Sequence, residues 1–267
     1  MPFQLKSPLN EQASIQLPRE VSDLSKPFNG TICSSKGDEY QIRKNIIDIL
    51  GNKSVKQTLA QASNHLPITA SVYEDYWRKK SIGILSGEEF TLDRERKLLL
   101  RWLNPKPNMK YLDIGCSSGF YARSIQQEQS DAETVALDIA MPMLRETRKR
   151  AISEQLPLYL MRANAAELPF FTATFDGIVC GGTLNELSDP LKVLYETKRV
   201  IKPGAVAVFM HLLKAESIQG KILQKTTGLG GITYWTLDES NGLFERAGFT
   251  ITQQMRFGIV CFSRLTS

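Results

Sequence analysis

The stretch that decides the fold is Lys110-Tyr111-Leu112-Asp113-Ile114-Gly115-Cys116-Ser117-Ser118-Gly119-Phe120. Its first five residues read as a buried strand carrying an acidic residue near its end. A tight turn bounded by Gly115 and Gly119 follows, and Phe120 opens a helix. Such a turn lets a ligand lie against bare backbone at the carboxyl end of a strand, beside the positive end of a helix dipole. Gly115 omits a side chain that would block the ligand, and Gly119 lets helix and strand pack closely. A plain strand-to-helix turn could use the same glycines, so the surrounding sequence decides between the two readings.

Downstream of the turn, strand and helix signals alternate. Strands are expected at 111–114, 134–138, 158–161, 176–180 and 205–210, with helices at about 119–129, 141–153 and 190–201. Asp189-Pro190 is a helix start, because the carboxylate caps free amides and proline suits the first turn. Lys202-Pro203-Gly204 reads as a stop. Upstream, Thr91 caps a helix that carries Leu98, Leu99, Leu100, Trp102 and Leu103 and ends before Pro105. This alternation predicts right-handed crossovers and a parallel sheet with helices on both faces. The C-terminus breaks the rhythm. After a helix near 237–247, two strands are joined by a short turn at Phe257-Gly258, so they must be antiparallel.

Bulk properties narrow the class of function. The chain has 267 residues, 42% hydrophobic and 23% charged, an ordinary globular balance. No run of about 18 apolar residues is present, so no membrane span is expected. Met1–Lys6 carries no apolar signal core. The four cysteines, Cys33, Cys116, Cys180 and Cys261, form no CxxC pair. Reduced thiols, a cytoplasmic location and no bound metal are the expectation. A net charge of +5 is too mild to demand nucleic acid. The basic runs Arg78-Lys79-Lys80 and Arg145–Arg150 read as solvated helix faces; DNA is not expected as a partner and RNA is disfavoured. Residues 1–90 are rich in Ser, Gln, Asn and Pro and read as a mostly irregular or helical extension. The regular core spans 91–267.

Two further segments bear on the ligand. Asp138 ends the strand Val135-Ala136-Leu137-Asp138, about 20 residues beyond Gly119, where a carboxylate can accept both hydroxyls of a ribose. The plainer reading is that it caps the next helix. The second is Arg162-Ala163-Asn164-Ala165-Ala166-Glu167-Leu168-Pro169-Phe170, followed by Phe175-Asp176-Gly177-Ile178-Val179. No Gly-x-Gly-x-x-Gly is present, which disfavours a nicotinamide-dependent oxidoreductase.

Together these residues resemble the class I methyltransferases dependent on S-adenosylmethionine (SAM), and among them the small-molecule type 11 group. Motif I of that family is an acidic residue, any residue, then Gly-x-Gly-x-Gly. Here Gly115 and Gly119 hold the outer positions and Ser117 replaces the middle glycine. Ala163 to Phe170 resembles the family's Gly-Asp-Ala-x-x-Leu-Pro-Phe, with Asn164 at the acidic position, and Arg199-Val200-Ile201-Lys202-Pro203-Gly204 resembles its Arg-Val-Leu-Lys-Pro-Gly-Gly. The resemblance implies an α/β fold, a doubly wound Rossmann-like sheet of seven strands closed by an antiparallel hairpin. It also implies SAM as cofactor. Asp113 would orient the tail ammonium, and Gly115, Cys116, Ser117 and Gly119 would form the turn around the amino-acid and ribose portions. Asp138 and Ile139 would meet the ribose, Asn164 and Ala165 the adenine, and Cys180 would stand at the end of the fourth strand, where it equally suits packing.

The catalytic candidates are His211, at the end of the fifth strand, and Glu186, in the loop after the fourth, although a lone histidine at a strand end is more often structural and Glu186 carries the same alternative. Tyr73, Trp77 and Arg78, within Tyr73-Glu74-Asp75-Tyr76-Trp77-Arg78, resemble an aromatic lid that precedes the core in such enzymes, or a helix packing its rings on the core. Cys33-Ser34-Ser35-Lys36-Gly37-Asp38-Glu39-Tyr40 resembles half of a zinc ribbon found in cyanobacterial and plastid members. One cysteine cannot supply about four ligands, so it reads as a metal-free remnant. The function implied is methyl transfer by in-line displacement to a small, apolar, quinone- or lipid-like acceptor. RNA methylation, and a protein of this fold that binds SAM or its product without catalysis, stay open. Oligomeric state is not legible.

Overall fold

The computed structural model describes residues 4–9, 12–53, 55, 57–63, 65 and 90–267. The N-terminal part contains β1 (Gln4–Lys6), β2 (Ser14–Gln16), β3 (Gly30–Cys33), β4 (Glu39–Arg43), β5 (Ile46–Asp48) and the short helix α1 (Leu59–Ser63). The regular part continues with α2 (Leu92–Leu103), β6 (Lys110–Ile114), α3 (Phe120–Glu128), β7 (Glu133–Asp138), α4 (Met141–Ser153), β8 (Tyr159–Arg162) and β9 (Phe175–Gly181). It closes with α5 (Pro190–Val200), β10 (Ile201–Leu212), α6 (Ile218–Gly228), α7 (Leu237–Arg246), β11 (Thr250–Phe257) and β12 (Val260–Thr266).

The local signals act as expected at the helix ends. The Thr91 hydroxyl accepts from the Arg94 amide at 3.2 Å, and the Asp189 carboxylate accepts from the Lys192 amide at 3.0 Å. Lys202-Pro203-Gly204 ends α5, but β10 already begins at Ile201 and runs through it. Thr236 and Glu239 form a reciprocal capping box at the start of α7.

Strands β6 to β12 form the expected seven-stranded unit, and β11 and β12 are its antiparallel hairpin. The sheet is wider than that, however. Its order is β11-β12-β10-β9-β6-β7-β8-β5-β4-β3, ten strands in all. β5 pairs parallel to β8, with Ile46 opposite Leu160, and β4 and β3 follow antiparallel. The N-terminal extension thus departs from the irregular or helical expectation. Its strands are only three to five residues long, and β5, the one that joins them to the core, pairs with a strand more than a hundred residues away, so local periodicity carries little trace of them.

Two short-range devices anchor that extension. Asn45, wholly buried, sends its Nδ2 toward the carbonyls of Val21, Asp23 and Lys26, while its Oδ1 accepts from the Phe28 amide. Around Cys33, the Asp38 carboxylate accepts from the hydroxyls of Ser7 at 2.7 Å and Ser34 at 2.8 Å. Hydrogen bonds among side chains hold this corner, and no metal-holding cluster of His, Cys, Asp and Glu occurs among the described residues.

The core lies on both faces of the sheet. Helices α2 and α3 cover one face with Leu99, Trp102, Tyr121 and Ile125, against Val179, Val208 and Phe262. Helices α5 and α7 cover the other with Val193, Leu194 and Phe244, against Ile178, Cys180 and Phe209. Burial of a side chain of this size contributes on the order of 2 kcal/mol. Residues 178, 179 and 180 alternate between the two clusters, the period of two that a strand imposes.

Candidate functional site

β6 leads out toward β7 and β8 on one side, and β9 lies on its other side, so strand order reverses between β6 and β9. Crevices at such reversals receive ligands, because loops diverge there and leave backbone amides uncovered. A cavity of about 330 Å³ opens at this point, a size suited to a small molecule. Gly115, Ser117, Asp138, Ile139, Asn164, Ala165 and Glu186 all line it.

The turn is built by its backbone angles. Gly115 and Gly119 have φ of +66° and +78°, and Ser117 has φ of +50°. The sequence reading assigned the space at Gly115 to a ligand. In the structure a Cβ there would come 2.2 Å from the Thr183 hydroxyl, which donates to the Gly115 carbonyl at 3.0 Å. Gly119 likewise yields to a side chain, since a Cβ would come 2.3 Å from Thr147 of α4. Ser117 occupies a left-handed conformation that glycine adopts more readily. It is held there from both sides: its amide donates to Asp138 at 2.9 Å and its carbonyl accepts from the Thr147 hydroxyl at 2.7 Å.

Asp138 is the buried carboxylate among the described residues of the cavity wall. Burial raises its carboxyl to about 6, against the opposing pull of the amides of Ala140, Ser117 and Ile139. A carboxylate offers about four acceptor sites, so these amides leave capacity for a further donor. Asn164 folds into an Asx turn, its Oδ1 accepting from the Ala166 amide at 3.0 Å, and still lines the cavity.

Other expected residues lie away from the cavity. Asp113 is buried beneath the turn, where its Oδ2 accepts from the Ala122 amide of α3 at 3.0 Å. Cys116 and Cys180 are buried thiols, raised well above the usual range and to about 12 respectively, chiefly by desolvation. His211 is wholly buried with its ring edge-on to Phe244 of α7, 5.5 Å between centroids. Strand alternation turns it to the face covered by α5 and α7, with Ala207 and Phe209, so it does not reach the cavity. Tyr73, Trp77 and Arg78 lie outside the described residues.

The extension contributes lining that sequence reasoning missed. Leu50, Lys53, Val55 and Gln61 close the cavity from the N-terminal side. Arg162 ties this flank to the core through an ion pair with Asp48 at 3.1 Å and hydrogen bonds to the carbonyls of Gly51 and Ile139. The Thr58 hydroxyl donates to the Glu186 carbonyl at 2.9 Å. No motif marks these residues; only the Arg162–Asp48 charge pair left a signal, and a pair so distant in sequence is not recognisable without the fold.

Comparison with known proteins agrees with this geometry. Residues 112–209 match the family described as a methyltransferase domain. The chain is 34% identical over 119 residues to a demethylmenaquinone methyltransferase of Lactiplantibacillus plantarum, covering 43% of this chain and 50% of that protein. It is 28% identical over 148 residues to a chloroplastic methyltransferase of Arabidopsis thaliana, covering 53% and 41%. The match thus spans half or less of the length of these relatives. Among solved structures, a SAM-dependent methyltransferase from Aquifex aeolicus shares the fold, with a TM-score of 0.52 at 22% identity, covering 64% of this chain and 88% of that one. The crevice between β6 and β9, the seven-stranded order closed by a hairpin and the matched domain converge: residues 112–209 match a methyltransferase domain, set in the fold that SAM-dependent methyltransferases share.

Proposed function

We infer that this protein, in the cytoplasm, transfers the methyl group of SAM to a small, apolar, quinone- or lipid-like acceptor by in-line displacement. The observation that carries the reading is the single cavity wall shared by Gly115, Ser117, Asp138, Ile139 and Asn164. Asp138 would accept from a ribose hydroxyl, Asn164 would meet the adenine edge, and the turn would pack against the amino-acid portion. The buried carboxyl of Asp113 would act indirectly, by fixing the first turn of α3. When bound, the cofactor supplies a methyl group on a positively charged sulfur. The chain's part is to orient the acceptor and exclude water.

Leu50, Val55, Leu187 and Val193 give the cavity apolar walls suited to such an acceptor. The demethylmenaquinone methyltransferase relative supports the same chemistry. Should the acceptor need to lose a proton, Glu186 is a carboxylate at hand, as it lines the cavity whereas His211 does not.

Calorimetry with SAM, S-adenosylhomocysteine and NAD tests the cofactor, with binding of the two sulfur nucleosides and not of NAD expected. Incubating membrane and soluble extracts with methyl-labelled SAM then tests the acceptor. Label in an organic-extractable small molecule supports the reading. Label in RNA, or binding of SAM with no transfer to any fraction, would overturn it.

A further inference from the structure

Helix α6 turns apolar side chains outward. Its inner side carries Gly220, where a Cβ would come 2.6 Å from Ala215, and Gln224, whose amide bonds to the backbone of Ala215 and Leu213 at 2.8 Å each. Its outer side carries Ile218 and Ile222. Ile218 is 76% exposed and Ile222 64%, and Leu229, just past the helix end, is 79% exposed. At 100° per residue, positions 218, 222 and 229 fall within one narrow stripe. Single exposed leucines need no explanation, but three on one stripe form a patch.

The charge around this stripe has one sign. Lys221 and Lys225 stand beside it, and no acidic residue occurs between Ser217 and Trp235. Glu216, just before, is paired with Arg256 at 2.8 Å. An apolar stripe edged by lysines suits the boundary between lipid headgroups and acyl chains, where the apolar side chains enter and the ammonium groups meet phosphates. Among the described residues no helix is long and apolar enough to cross a bilayer, so contact through this helix would be peripheral.

The patch adjoins the cavity. Beyond α6, Gly231 backs directly on Thr58, whose hydroxyl bonds to the carbonyl of the cavity residue Glu186. Leu59, next to Thr58, is itself 71% exposed. The Thr233 amide bonds to the Asn185 carbonyl at 2.8 Å, holding the same segment to the cavity rim.

We propose that the outer face of α6 docks this protein on the surface of an anionic phospholipid bilayer, with the cavity rim facing the lipid. The purpose of docking, access to an acceptor dissolved in the bilayer, rests on the function inferred above. The docking itself rests on the stripe and its charge.

Vesicle co-sedimentation of the full chain tests it, using phosphatidylcholine alone against an equal mixture with phosphatidylglycerol. The chain should sediment with the anionic vesicles, and raised salt should weaken this. Ile218→Ser combined with Leu229→Ser should lower partitioning by about tenfold or more. Replacing Lys221 and Lys225 by serine should lower it by about fivefold per lysine. Both variants alter exposed positions, so melting temperature and S-adenosylhomocysteine affinity should stay unchanged. No sedimentation of the wild type with anionic vesicles, or equal binding by the Ile218/Leu229 variant, overturns the proposal. So does self-association in analytical ultracentrifugation that this variant abolishes while vesicle binding persists. S-adenosylhomocysteine calorimetry on the same samples keeps the two readings apart: failure there, with vesicle binding intact, sinks only the methyl-transfer reading.

Discussion

The ends of β7 and β10 each bury one titratable side chain, and the fold treats the two oppositely. Asp138 ends β7 at the cavity wall and is held by backbone amides from Ser117 and Ala140 at 2.9 and 2.8 Å. His211 lies near the end of β10 against Phe244, and neither ring nitrogen has a hydrogen-bond partner among the described residues. Burial shifts both, Asp138 up to about 6 and His211 down to about 4. A shifted titration alone therefore does not mark a functional group. What separates them is access: Asp138 borders open volume, while His211 is enclosed by the core.

The hardest test of that contrast is Asp138→Ala. It should weaken S-adenosylhomocysteine binding about 10- to 100-fold by calorimetry, since the charge-assisted hydrogen bond to the ribose would be lost. His211→Phe should leave that affinity unchanged. Equal effects of the two would erase the distinction drawn here.

Stability against pH sharpens the comparison. His211 is depressed in the fold, so the unfolded chain takes up its proton first. The stability it carries is present above about 6.5 and is lost as pH falls toward about 4. Asp138 is raised, so its contribution has the opposite sign: full below about 3.8 and lost as pH rises through about 6. Each amounts to about 3 kcal/mol at most, and between pH 4 and 6 the two oppose each other. Urea denaturation across this window should show Asp138→Asn losing stability more steeply on acidification than the wild type. His211→Phe should lose it less steeply. Parallel curves for all three chains would contradict both assignments.

Gly115→Ala comes next. The new methyl group meets Thr183 at a positive φ, so a loss of about 2 kcal/mol is expected in denaturant melts. Adding Thr183→Gly, which removes the Thr183 Cβ that stands 2.7 Å away as well as the atoms beyond it, should restore only the part due to the clash. Complete restoration would mean that the backbone angle imposes no cost. The smallest effect is at Ser117→Gly, which relieves a left-handed serine but adds freedom to the unfolded chain. A gain of about 0.5 kcal/mol is expected. A loss would show that the serine hydroxyl contributes to the turn.

Sequence alone determined the elements whose causes are local. The glycine turn, the caps at Thr91 and Asp189 and the alternation of strands and helices each depend on residues within a few positions of one another. The antiparallel closing hairpin was legible for the same reason, because a short link forbids a parallel pairing. Asp138 and Asn164 were legible as lining of the crevice because strand ends converge at a reversal of strand order wherever this fold occurs.

Only the tertiary structure decided the rest. The pairing of β5 with β8 joins short strands far apart in the chain, and the cost of closing so long a loop leaves no local signature. Lining by Leu50 and Val55 follows from that pairing and was equally hidden. His211 was placed correctly near a strand end, yet which face it took depended on register and on where α7 packs. The space over Gly115 looked like room for a ligand in the sequence; in the fold it holds Thr183, brought there from the neighbouring strand's loop.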